Sequence, residues 1–318
     1  MEKDSNVRAL ANTALATALS VIIAIIGLFV PILSLASLVW PVPVIVVVKR
    51  YGIKYGVYST IASGLIVGMV SEPFYAAYVI FAFGALGLAI GYGVHKGYSA
   101  GKILTVTAVA SLLSKMILVY AITWIMGINP LEIQLEAMKR GLELSLEFYR
   151  DIGMDVADDM GDMLLSSFEL MRVTLPALLI LASLLDSYLN YTVARIVLKR
   201  LGLHMEALPP FGEWRAPNNL AIGFLVLVGL TLAGGYLGLG RTDIILGNIL
   251  VLFQMIFLVQ GVSVIYYYLT RKGLNKLIKI LIIVFVLINQ FLSITAVFAG
   301  LLDVLFDFRK RFSQGTGS

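Results

Sequence analysis

Residues 103–126 read ILTVTAVASLLSKMILVYAITWIM: twenty-four residues with a single charge, Lys115, in their middle. A run of about 20 mostly apolar residues is what a helix needs to cross the hydrocarbon of a bilayer, and this stretch decides the fold class. Runs of the same kind lie at 9–30, 32–48, 55–70, 74–94, 173–198, 220–237, 244–268 and 277–302. The chain therefore reads as an all-α polytopic membrane protein of about nine crossings, within a range of about 8–10. Composition agrees: of 318 residues 59% are hydrophobic and 14% charged, with a mean hydropathy of +0.93, whereas a soluble domain carries roughly 25% charged residues.

The absence of cysteine excludes disulfides, thiolate metal sites and cysteine nucleophiles. His95 and His204 fall in expected loops without the spaced partners a zinc or di-iron site needs. No nucleophile elbow, HExxH pair, P-loop or dinucleotide fingerprint occurs, so no catalytic residue, cofactor or metal is expected, and the chain does not read as an enzyme.

The net charge of +5 is unevenly spread. Ten of nineteen acids lie between Glu132 and Glu169, with only Lys139, Arg140 and Arg150 among them. The other bases cluster in alternate short loops: Lys49, Arg50 and Lys54; Lys96 and Lys102; Lys199 and Arg200; Arg271, Lys272 and Lys276. This is a topological pattern, not a nucleic-acid footprint. It places those loops and the N-terminus in the cytoplasm, and the acidic segment outside. Nine spans would then leave Arg309, Lys310 and Arg311 outside, so the final apolar stretch is read as a hairpin or re-entrant segment returning to the cytoplasm.

The organisation expected is helices one to five over 1–127, an acidic amphipathic outer insertion over 128–168, further membrane helices over 169–312, and a disordered tail over 313–318. In the insertion, Leu131, Leu135, Met138, Leu142 and Tyr149 recur at helical spacing. The acids Asp155, Asp158, Asp159 and Asp162 lack the EF-hand ligand spacing and read as a solvated linker. Pro41 and Pro43 are expected to kink or break the second span, unless they and Trp40 start a helix at the interface.

Lys115 and Asp186 lie at the midpoints of consecutive spans, too deep to snorkel, and are expected to pair, since an unpaired charge there costs about 2.5–3.5 kcal/mol or more. Ser111 on one helix, and Ser183 and Asn190 on the other, share their faces. Lys115, Asp186, Asn190, Ser183 and Ser111 are thus the candidate substrate-binding residues, with a structural ion pair as the alternative. Small-residue seams, Ala14 with Ala18, Gly64 with Gly68 and Gly87 with Gly91, allow close helix packing; the first is a candidate partner-docking seam.

Three C-terminal stretches occur in order: LPPFGEWRAPN at 208–218, Asn248 to Gln260-Gly261 followed by Tyr266-Tyr267-Tyr268, and GLLDVLFDFRKR at 300–311. Together they resemble the YybS-like family of uncharacterised bacterial membrane proteins, which implies a bacterial plasma membrane and no established activity. The N-terminal half resembles the S components of energy-coupling-factor transporters, through Ala14 and Ala18 and through Trp40-Pro-Val-Pro leading to Lys49-Arg50-Tyr51-Gly52. That resemblance implies a small-molecule ligand and a transporter coupling subunit as partner. The alternative is a non-transporting scaffold or regulator of envelope or signalling proteins.

Overall fold

The computed structural model describes residues 2–30, 39–153, 158–307 and 309, without the side chains of 2–5, 158–160, 162 and 165. Among them the regular structure is helical. The chain forms two compact units, Met1–Leu165 with Leu179–Leu208, and Ser166–Leu178 with Pro209–Ser318.

Unit 1 begins with α1 (Glu2–Phe29), α2 (Val42–Tyr51), α3 (Ile53–Val70) and α4 (Pro73–Tyr78). The last continues through a π-helical turn, Val79–Gly84, into α5 (Ala85–His95). Then come α6 (Ala100–Met126), α7 (Pro130–Asp151), α8 (Asp158–Val173) and α9 (Leu175–Arg200), of which α8 ends and α9 begins in unit 2. Close packing explains the glycines: a Cβ on Gly64 would collide with Ile80, one on Gly68 with Ala76 and one on Gly91 with Val48. These seams pack within unit 1. By contrast Ala14 and Ala18 are exposed, while Thr13, Thr17 and Ser20 turn inward on α1.

The second apolar run differs from expectation. Its described helix, α2, has ten residues, about 15 Å at 1.5 Å per residue, too short to span. Pro43 stands in its first turn and Pro41 at its cap. The prolines therefore start a helix instead of kinking one, because the first turn has no intrahelical use for the N–H that proline lacks. Trp40 is not interfacial: it is 1% exposed, packed with Val44, Val48, Val67 and Val79.

Unit 2 contains α10 (Asn218–Tyr236), α11 (Thr242–Arg271), α12 (Lys276–Ile288) and α13 (Gln290–Phe306). Seven described helices are long and apolar enough to cross a membrane, or eight if α12 and α13 count as one, against the nine expected; of the second run, residues 32–38 lie outside the described residues. Between α12 and α13 the axis bends by 103°. Asn289 makes the corner, its side chain accepting the Leu292 N–H at 3.0 Å to cap α13. Arg309 ends against Gly212 and Trp214, and Gly212 packs on Tyr266 and Tyr267 near the end of α11. The last stretch thus leaves and returns at one end of unit 2, as the hairpin reading requires; Lys310 and Arg311 lie outside the described residues.

Candidate functional site

The pairing read from matching depth is present. Lys115 Nζ lies 2.7 Å from Asp186 Oδ2, each side chain 17% exposed. The same ammonium donates to Ser111 Oγ at 2.6 Å and Ser183 Oγ at 3.4 Å. Helix periodicity brings this about: Ser111 is one turn before Lys115, and Ser183 is three residues before Asp186. Ser187 Oγ donates to Leu104 O at 3.0 Å, tying α9 to α6. Asn190 Nδ2 bonds its own helix at Asp186 O, 3.0 Å away.

Two polar atoms near this seam are buried without a partner among the described residues: Asn190 Oδ1 and Thr107 Oγ1. Thr107 shares the buried face of α6 with Ser111 and Ser114. Ser114 Oγ donates to Phe81 O inside the π-helical turn, a geometry that leaves carbonyls free for outside donors and recurs at functional sites. A buried polar group left unpaired costs about 1–3 kcal/mol, so two of them beside an intramembrane ion pair are a place where a polar solute would gain bonds.

Unit 2 has a second charge site whose residues lie in the three C-terminal stretches quoted above but whose geometry the sequence did not show. Asp303, 1% exposed, accepts at Oδ2 from Gln260 Nε2 (2.9 Å) and from Arg309 Nε and Nη2 (3.0 and 2.8 Å). Arg309 also donates to Trp214 O at 2.8 Å, to Ser263 Oγ at 3.3 Å and to Gly212 O. Gln260 Oε1 takes the Ala216 N–H at 3.0 Å. The three stretches therefore converge on one node. Two features allow it. Asp307 adopts the left-handed conformation, φ 52°, which Asp tolerates better than most residues and which ends α13 so that Arg309 can fold back. Gly261 and Gly300 bring α13 onto α11 so closely that a Cβ on Gly261 would collide with the Ala296 carbonyl oxygen.

Residues 18–304 match the family described as "Predicted membrane protein (DUF2232)". The chain belongs to this family. Like the chain, the DUF2232 description names a membrane location and no activity. The chain is 22% identical over 306 residues to the "Uncharacterized protein YybS" of Bacillus subtilis (strain 168), covering 96% of this chain and 98% of that protein. No solved structure matches, so the S-component likeness of this DUF2232 member rests on Ala14, Ala18 and the Trp40-to-Gly52 turn alone.

Asn248 of the later spans is used within the fold. Asn248 bridges a broken helical bond, accepting from Ala177 N at 2.9 Å and donating to Val173 O at 2.9 Å, where Pro176 interrupts the helix. In α7, Leu131, Leu135, Leu142 and Leu146 turn inward, while Met138 and Tyr149 are exposed. Among the described residues no three His, Asp or Glu side chains are placed to hold a metal ion; Asp155 and the side chains of Asp158, Asp159 and Asp162 lie outside them.

Proposed function

We propose that the protein is a small-solute-binding membrane protein, not an enzyme, with its site at the α6–α9 seam of unit 1. Lys115, Asp186, Asn190, Ser183 and Ser111 line it. The observation that carries this reading is an ion pair near the middle of two apolar helices, with the unpartnered Asn190 Oδ1 and Thr107 Oγ1 beside it. Asn190 Oδ1 and Thr107 Oγ1 have no partner among the described residues, and a solute that bonded them would relieve the cost of their burial. Ionisable side chains at membrane depth mark solute or proton pathways more often than they mark packing. The ligand class that suits one ammonium, one carboxylate and hydroxyls is a small molecule bearing both donors and acceptors.

The exposed Ala14 and Ala18 on α1 fit a helix seam for a transporter coupling subunit, with the N-terminus in the cytoplasm and the protein in the bacterial plasma membrane. The regulator or scaffold reading draws on α7, whose Ile133, Leu144 and Phe148 are exposed on a helix that also carries a surface Glu136–Arg140 pair, as in helices that lie on a lipid or protein surface.

Solvent extraction of purified wild type and Asp186→Asn protein, with mass spectrometry of the released small molecules, tests the binding reading. A polar compound present in the first and depleted in the second is expected. Identical extracts from both would overturn it.

A further inference from the structure

A second place in unit 1 presents charges that the fold does not use up. Where the segment 201–208 folds back over the start of α6 and the end of α9, it borders a half-open cavity of about 170 Å³, several times the volume of about 30 Å³ that one water occupies. Lys49, His204 and Glu206 line it together with the apolar Val94, Ile103 and Met205. It lies at the opposite end of α6 from Met126, fifteen residues or about 22 Å before Lys115, and is independent of the seam described above.

Lys49 Nζ donates to Val94 O at 3.0 Å and pairs with no carboxylate among the described residues. A half-buried ammonium without a counter-ion is what an anion would complete. Glu206 has a different role. One of its oxygens accepts the Ala100 N–H at 2.7 Å, capping α6 from a distant part of the chain, and Tyr191 fixes it by donating to Glu206 O at 2.8 Å. The cavity therefore offers both a cation and a carboxylate. Around this end of the unit lie Lys96, Lys102, Lys199 and Arg200, and Lys102 sits 3.9 Å over the Tyr98 ring. Basic and aromatic residues at helix ends belong at head-group level, where a basic rim meets lipid phosphates.

We propose that this cavity binds a zwitterion in which a phosphate and a primary ammonium are joined by a short linker, the phosphate meeting Lys49 and His204 and the ammonium meeting Glu206. Phospholipid head groups of the ethanolamine type and free phosphoethanolamine share this chemistry. The test is native mass spectrometry of the full-length protein in detergent with chain-matched phosphatidylethanolamine, phosphatidylglycerol and phosphatidylcholine. Wild type retains the ethanolamine lipid roughly tenfold over the other two, since glycerol has no ammonium and choline has no N–H to donate. Lys49→Met lowers retention of the ethanolamine lipid roughly tenfold. Glu206→Gln keeps a side-chain oxygen for Ala100 N–H, so α6 stays capped, yet it brings the ethanolamine lipid down to the level of the glycerol lipid. Displacement of the bound lipid by millimolar phosphoethanolamine assigns the site to a soluble ligand, and resistance to it assigns the site to the lipid; both sustain the chemistry. Equal retention of the three lipids with no effect of phosphoethanolamine, or a Glu206→Gln protein that discriminates like wild type, overturns it.

Discussion

Among the described residues two acid–base pairs lie at low exposure, and their cations are held differently. In unit 2, Asp303 and Arg309 are 1% and 11% exposed, and Arg309 is fully engaged by one carboxylate, two carbonyls and a hydroxyl. In unit 1, Lys115 and Asp186 are each 17% exposed, are held by serine hydroxyls, and neighbour Asn190 Oδ1 and Thr107 Oγ1, which have no partner among the described residues. Multiple fixed donors and acceptors make a pair a fastener, because removing any one leaves the others stranded in low dielectric. A pair with weak supports and spare lone pairs nearby can exchange partners with a solute at little cost. The comparison teaches that depth and pairing alone do not separate the two roles: polar atoms without a partner among the described residues lie at both places, Asp303 Oδ1 in unit 2 and Asn190 Oδ1 and Thr107 Oγ1 in unit 1, and what differs is how many groups hold the cation.

Variants that strip one partner separate the two most sharply. Asp303→Ala leaves the Arg309 guanidinium buried and uncompensated, and is expected to destabilise unit 2 by about 3–5 kcal/mol. Thermal melting followed by Trp214 fluorescence, in a protein with Trp40 and Trp124 replaced by Phe, reads this directly. Gly261→Ala should come next, at about 3 kcal/mol, because its Cβ meets the backbone oxygen of Ala296 instead of a flexible side chain. Should it melt as wild type does, the tight α11–α13 seam is not what holds the node together.

Lys115→Met is expected to cost about 2 kcal/mol, and the double variant Lys115→Met with Asp186→Leu to recover most of that while losing any co-purified solute. The recovery is read from a double-mutant cycle of melting midpoints in detergent. The smallest effect belongs to the exposed pair Arg140–Glu136, 71% and 64% exposed: Arg140→Ala should change stability by less than about 0.5 kcal/mol.

Much of unit 1 was legible because its signals are local. Apolar runs give the spans, loop bases give the alternation, and the midpoints of residues 103–126 and 173–198 put Lys115 opposite Asp186 without any knowledge of tertiary structure. The second run is described only from residue 39 on, and among those residues its helix has ten residues; hydropathy does not distinguish a buried short helix from a crossing one. The node of unit 2 was invisible as geometry. Asp303 and Arg309 are six residues apart, a spacing with no helical meaning, and they meet only because Asp307 turns left-handed. What the sequence carried instead was three stretches, 208–218, 248–268 and 300–311, which the fold brings together: Gly212, Trp214, Gln260, Ser263, Asp303 and Arg309 form one hydrogen-bonded set. The lining of the cavity at Lys49 was hidden for the opposite reason, since its bases read as a statement of topology and that reading accounted for them in full.

The most direct test of the solute-binding reading is a high-resolution density map of the full-length protein in lipid nanodiscs, inspected between α6 and α9. The account predicts non-protein density within hydrogen-bonding distance of Asn190 Oδ1 or Thr107 Oγ1, lost in the Lys115→Met, Asp186→Leu double variant. A map in which protein side chains satisfy both atoms and the Lys115–Asp186 pair is closed on all sides would contradict it.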